Sequence, residues 1–187
     1  NINPKNKIIL LAYHPTIEEI GHCFDDFIKI IKTLEKLDGY SVIAVYPNCD
    51  PGANKIIKFL DTYIRKEFVS SRNLERYLYL ETMRRAHCIL GNSSSGLLEA
   101  PTFNTPCLNI GLRQKGRIRG SNVIDINAPL DEDKLEKSLL KIPTKNISKP
   151  PYSDINPYGD GNTTKKLIDI ILDTKVNNLL MQKRITK

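Results

Sequence analysis

The sequence predicts an α/β fold built on a parallel sheet with helices on both faces. Three observations carry that prediction. Apolar runs of strand length recur along the chain, segments with helical spacing separate them, and small or polar clusters follow the runs. Strands that are apolar on both sides belong in a sheet covered twice, and strand–helix alternation makes neighbouring strands parallel.

Lys7–Tyr13 (KIILLAY) is the first run and reads as a strand buried on both faces. Phe24, Phe27, Ile28, Ile31 and Leu34 recur at helical spacing, so a helix is expected over Phe24–Leu37, stopped by Asp38-Gly39. Tyr40–Tyr46 (YSVIAVY) is a second buried strand, which Pro47 ends. Asp50-Pro51-Gly52 is turn chemistry, and the helix after it carries Ile56, Ile57, Phe59 and Leu60. A short strand is expected at Glu67–Ser70, a helix over Asn73–Ala86 and a fourth strand at His87–Leu90. The small-residue loop Gly91–Gly96 then leads into a helix at Leu97–Ala100. Pro106–Ile110 and Asn122–Ile126 complete the strands, and Asp131–Leu140 is a further helix. The spacing is that of a Rossmann-like, doubly wound sheet with strand order 3-2-1-4-5-6. Such sheets bind ligands beyond the strand carboxyl ends, where the order reverses.

Pro143–Pro157, rich in Pro, Lys, Ser and Asn, reads as an extended connection. Tyr158–Asn162 (YGDGN) is a turn that caps a last helix over Thr163–Asp173. One domain is therefore expected over residues 1–173, followed by a polar, basic tail over 174–187 that is disordered or docks elsewhere.

With 40% hydrophobic and 26% charged residues among 187, the composition is that of a soluble globular chain. No run approaches the ~18 apolar residues of a membrane-spanning helix, and the N-terminus lacks the pattern of a signal peptide. A cytoplasmic setting is expected, and a chain that starts at Asn1 without Met reads as a piece of a longer one. Cys23, Cys49, Cys88 and Cys107 lie far apart and read as reduced thiols. His14, His22 and His87 show no ligand spacing, so no metal is expected, nor any other cofactor. The net charge of +7 suits a phosphate-bearing ligand. Its positive residues are dispersed except at 115–120 and 183–187, and no aromatic residues interleave them. Neither nucleic acid nor a membrane is therefore expected as a partner.

The polar clusters beyond the strands carry the chemistry. A strand that runs through Gly91-Asn92-Ser93-Ser94-Ser95-Gly96 into a helix turns amides, hydroxyls and a dipole toward an anion. Glu99, read as lying in the first turn of that helix, can accept hydrogen bonds from a pair of vicinal hydroxyls, or simply complement the dipole. Arg113, just past a strand, suits a phosphate as a bidentate donor. His14 follows the first strand and reads as a proton donor or as a loop-stabilising side chain. Asn48 and Asp50 sit past the second strand, where they serve either a ligand or the turn.

Four segments in order, HPT at 14–16, YPNCDPG at 46–52, GNSSSGLLEAPTFNTPCLNIGLRQKGR at 91–117 and YGDGN at 158–162, resemble the hydrolysing UDP-N-acetylglucosamine 2-epimerases. The combination of GNSSSG-x-x-E with G-x-R-Q-x-G-R is the specific part. The resemblance implies the C-terminal half of a GT-B architecture, in which two Rossmann-like domains flank a cleft and this one grips the nucleotide. It implies that Ser93, Ser94, Ser95 and the adjoining backbone hold the diphosphate of a UDP-sugar, Glu99 the ribose, and Arg113 the UDP moiety. Asn48 and Asp50 would line the nucleotide side, and His14 would assist departure of UDP. The acid–base carboxylates of the family belong to the N-terminal domain, which this sequence lacks and which is its expected partner. In full-length form homo-oligomers are expected. One departure is the helix after YPNCDPG, where Asp61 stands at a position that is basic in relatives inhibited by CMP-sialic acid. Two other readings share the pattern: the donor-binding half of a GT-B glycosyltransferase, and a noncatalytic nucleotide-sugar-binding domain.

Overall fold

The computed structural model describes residues 2–143 and 156–177. Six strands form one parallel sheet: β1 (Lys7–Ala12), β2 (Tyr40–Val45), β3 (Phe68–Ser71), β4 (Cys88–Gly91), β5 (Cys107–Ile110) and β6 (Val123–Ile126). Their order is β3-β2-β1-β4-β5-β6, as the sequence predicts. In the central register Leu10 pairs with Ile43 on one side and Ile89 on the other. The order reverses at β1, so the crevice opens past Ala12 and Gly91.

The helices are α1 (Cys23–Glu35), α2 (Ala53–Thr62), α3 (Arg76–Arg85), α4 (Ser95–Leu98), α5 (Glu132–Lys141) and α6 (Thr163–Asp173), with a 3₁₀ turn at Ala100–Phe103. Strand alternation splits the apolar residues of β1 between two cores. Ile9 and Leu11, with Tyr13 beyond them, join Phe27, Ile30 and Leu34 of α1, Ile56 and Leu60 of α2, and Leu135 and Leu139 of α5. Leu10 joins the smaller core on the other face, with Met83, Ala86, Ile89 and Ala100.

Two helices start two or more residues away from the sequence reading. α3 starts at Arg76, not Asn73, because the Glu75 side chain accepts the Leu78 N–H at 3.4 Å and sets the cap there. α4 starts at Ser95 and ends at Leu98, two residues earlier than expected. Pro101 has no N–H to continue the helix, so the chain tightens into the 3₁₀ turn and leaves it at Asn104, in the left-handed region. Glu99 therefore lies after α4, at its junction with that turn, and not in a first helical turn.

By its internal contacts the chain divides into two compact units, Asn1–Pro157 and Tyr158–Lys187. The described part of the second is the expected turn, in which Asp160 Oδ1 accepts the Asn162 N–H at 3.0 Å, and α6, none of whose residues is buried. Most of the expected connection, residues 144–155, and the tail at 178–187 lie outside the described residues. No helix among the described residues is long and apolar enough to cross a membrane. Cys23, Cys88 and Cys107 are buried free thiols and Cys49 is exposed.

Gly91 is the tightest point of the sheet. Its φ is +133°, and a Cβ there would lie 2.2 Å from the Ala12 carbonyl oxygen. Gly91→Ala is expected to cost about 2–4 kcal/mol, combining backbone strain with overpacking against immobile backbone. Gly39→Ala, at φ +76° with nothing within 4 Å, should cost only about 1–2 kcal/mol. Equal losses in urea denaturation would show that the approach of Ala12 is not the constraint.

Candidate functional site

Immediately past the Gly91 contact, Asn92 joins three strand ends. Its side chain, 1% exposed, holds the main chain of His14 from both sides: Oδ1 accepts the His14 N–H at 2.7 Å and Nδ2 donates to the His14 carbonyl at 2.7 Å. Its own carbonyl accepts from Gln114 Nε2 at 2.7 Å and Arg113 Nη1 at 3.3 Å. The end of β1, the loop after β4 and the loop after β5 are thereby fixed together. A fourth tie comes from Glu19, also buried, whose two carboxylate oxygens each accept the Leu112 N–H at 3.2 Å. Glycine suits position 111 beside it, since φ there is +73° and a Cβ would sit 2.4 Å from Glu19 Oε1 and displace that carboxylate. The sequence reading missed Asn92, Gln114 and Glu19 as organisers. The pairing partners lie 22 to 93 residues apart along the chain, so no local pattern marks them.

His14 Nδ1 accepts the backbone N–H of Asn48 at 3.2 Å. In the neutral ring the proton then sits on Nε2, so the group offers an N–H donor. Burial foremost, then the Arg113 charge, lower its pKa to about 4, with Asp50 opposing them. A histidine that titrates near neutral pH, one option left by the sequence, is thus replaced by one that stays neutral there.

The serine loop is organised by hydroxyls. Ser93 Oγ and Ser95 Oγ lie 3.0 Å apart, and Tyr79 of α3 bonds Ser95 Oγ at 2.6 Å. The Ser93 amide is committed to the Ala12 carbonyl at 3.2 Å. The Ser94 amide and hydroxyl are left as donors toward the cleft, while the Ser93 hydroxyl is shared with Ser95. Gly96 sits against β5. A Cβ there would lie 2.3 Å from Cys107 Sγ, so glycine is needed to pack the loop on β5. α4 is a single turn, so its dipole adds little to the anion site.

Glu99 makes no capping hydrogen bond. Its Oε1 accepts from Arg76 Nη1 at 2.8 Å, while Oε2 is buried without a hydrogen-bond partner. Dipole complementation, the simpler explanation of this carboxylate, therefore loses its basis. His14, Asn48, Ser93, Ser94, Ser95, Glu99 and Arg113 line one cleft of about 260 Å³, together with Arg76 and Tyr79. Asp50 stands apart from that lining; it acts on His14 through its charge, and its Oδ2 is buried without a partner. Among the described residues no group of three or more His, Cys, Asp or Glu is placed to hold a metal.

The His14 geometry gives a titration test. His87, lowered to about 4 by burial and then by Lys7, behaves in the same sense. Their unfolded value is ~6.5, so below that pH the unfolded chain takes up protons that the folded chain refuses. Stability should fall as pH drops from 6.5 toward 4. In ¹⁵N spectra His14 should carry its proton on Nε2 throughout pH 6–8. A His14 midpoint near 6.5 would contradict the burial argument.

A family model described as UDP-N-acetylglucosamine 2-epimerase matches residues 1–172. The chain is 30% identical to the UDP-N,N'-diacetylbacillosamine 2-epimerase (hydrolyzing) of Legionella pneumophila, over 97% of this chain and 46% of that protein. It is 37% identical to the GDP/UDP-N,N'-diacetylbacillosamine 2-epimerase (hydrolyzing) of Campylobacter jejuni, over 72% of this chain and 37% of the relative. The UDP-GlcNAc 2-epimerase of Neisseria meningitidis, solved bound to UDP-GlcNAc, shares the fold with a TM-score of 0.67 at 20% identity, over 92% of this chain and 46% of that one. The chain thus spans less than half the length of these relatives. The fold is that of one Rossmann-like half of a GT-B protein, and with a model matching residues 1–172 the chain belongs to the UDP-N-acetylglucosamine 2-epimerase family.

Proposed function

We propose that the chain is the nucleotide-binding, C-terminal half of a hydrolysing 2-epimerase. Its substrate would be a UDP-linked 2-acetamido sugar, UDP-N-acetylglucosamine or UDP-diacetylbacillosamine, and its product would feed sialic or related nonulosonic acid synthesis. The observation that supports this best is the gathering of Ser93–Ser95, Glu99, Arg113 and a neutral His14 in one cleft at the switch point of the sheet. Family membership favours it over a glycosyltransferase half, and the built donor set favours it over a noncatalytic module.

The roles follow from the chemistry of each group. The diphosphate takes the serine hydroxyls and the Ser94 amide, with the Arg113 guanidinium beside them. Glu99 takes the ribose hydroxyls. In the reaction the C1–O bond to UDP breaks as the C2 proton leaves, giving an unsaturated acetamido sugar, to which water then adds. His14 touches the departing side: its Nε2–H stabilises negative charge that develops on the diphosphate oxygen, a contact that strengthens in the transition state. It needs no imidazolium for this, so His14 should impose no change in kcat across pH 6–8. The groups that move the C2 proton would come from the N-terminal half of the protein.

Calorimetry on this chain should show UDP binding that exceeds uridine binding, and Arg113→Ala should weaken UDP by about 1.5–3 kcal/mol. Affinity for UDP no better than for uridine would remove the diphosphate assignment. The chain alone should release no UDP from UDP-N-acetylglucosamine, and turnover by a pure sample would show that the carboxylates were misassigned to the other half. In the full-length protein His14→Ala should lower kcat roughly 10²–10⁴-fold with little change in KM. A near-normal kcat with a depressed melting temperature would make His14 structural.

A further inference from the structure

The cleft holds a second guanidinium that the motif pattern does not mark. Arg76 opens α3 and reaches across 23 residues of sequence to Glu99 Oε1, at 2.8 Å. Its location is poor for the helix itself. A cation in the first turn opposes the helix dipole, and that turn carries no acidic residue. One turn further along the same face, Tyr79 bonds Ser95 Oγ at 2.6 Å. α3 therefore touches the candidate nucleotide site at two points, the carboxylate and the serine loop.

The remaining carboxylate oxygen makes the pair informative. Glu99 Oε2 is buried and has no partner, so half of the acceptor capacity of this carboxylate is unused. A carboxylate in a diphosphate site is also an electrostatic liability, since like charges repel. An ion pair on Oε1 offsets that repulsion and fixes the plane of the group, leaving Oε2 for a neutral hydroxyl donor. The pair does little for the fold: the Arg76 side chain is 65% exposed and Glu99 28%, and exposed pairs contribute little to stability.

We propose that Arg76 is a positioning residue of the nucleotide site, which holds Glu99 by one oxygen so that the other is presented to the sugar hydroxyls of a nucleoside diphosphate. This rests on the reading of Glu99 as the ribose-binding carboxylate. The functional consequence is selectivity: the chain discriminates ribonucleotides from deoxyribonucleotides through a pair of residues, one of which touches no ligand.

Calorimetry with UDP and 2′-deoxy-UDP tests it on the chain as it stands. Wild type should prefer UDP by roughly 10- to 100-fold, the span for losing a hydrogen bond to a charged group. Glu99→Gln should collapse that ratio. Arg76→Gln should reduce it by about 3- to 10-fold while the melting temperature stays within ~2 °C, and Arg76→Lys should fall between Gln and wild type. A change in melting temperature alone would not produce this, because the readout is a ratio of two ligands on one variant. An Arg76→Gln chain with the wild-type ratio, beside a Glu99→Gln chain that has lost it, would overturn the positioning role and leave the Glu99 reading intact. A wild-type chain that binds both nucleotides equally would overturn the Glu99 reading, and the proposal with it.

Discussion

The site depends on one side chain, Asn92, which grips the main chain of His14 through two hydrogen bonds of 2.7 Å. Parallel strands end in loops that have no reason to stay together, because the ladder stops where the crevice begins. Asn92 supplies the missing cross-link. The amide side chain mimics one more residue of a ladder, donating and accepting opposite a peptide that β4 can no longer reach with its backbone. Its carbonyl then orients Arg113 and Gln114. Gly91 makes the grip achievable, since only a residue without Cβ lets β4 approach the end of β1 closely enough. Within this frame His14 has a fixed main chain, a fixed tautomer through the Asn48 amide, and a neutral ring.

Much of this architecture was legible in the sequence because buried parallel strands announce themselves. KIILLAY and YSVIAVY needed no context to be placed, and strand order followed from the doubly wound pattern that strand–helix alternation implies. Seven of the eight residues singled out by chemistry share one cleft. The errors are local and have local causes. Pro101 sits in the 3₁₀ turn after α4, so α4 ends at Leu98 and Glu99 falls outside it. Asn92, Glu19, Gln114 and Arg76 escaped notice because each acts through a partner distant in sequence, and periodicity carries no record of such pairs.

The contents of the cleft bear on the division of labour proposed above. It presents donors and one guanidinium suited to charge on a leaving group, together with a carboxylate already engaged by Arg76. Such a set holds and stabilises; the described residues bring no free carboxylate into the cleft for proton abstraction at a sugar carbon. Under the proposed function, leaving-group stabilisation would fall to this half of a two-domain cleft and the reacting carbons to the other. On that proposal, sugar identity would be decided mainly outside this chain.

The account makes the strand-end cleft the place where a nucleoside diphosphate sits. Mapping UDP on the chain by backbone ¹H–¹⁵N shifts tests that claim most directly. Shifts on addition of UDP should concentrate at His14, Asn48, Ser93–Ser95, Glu99 and Arg113, with Tyr79 moving as its hydroxyl partner responds. Shifts centred instead on the lysine-lined hollow between β6 and α5, at Asp131, Lys134, Lys137 and Lys141, with the strand-end cleft unmoved, would contradict it.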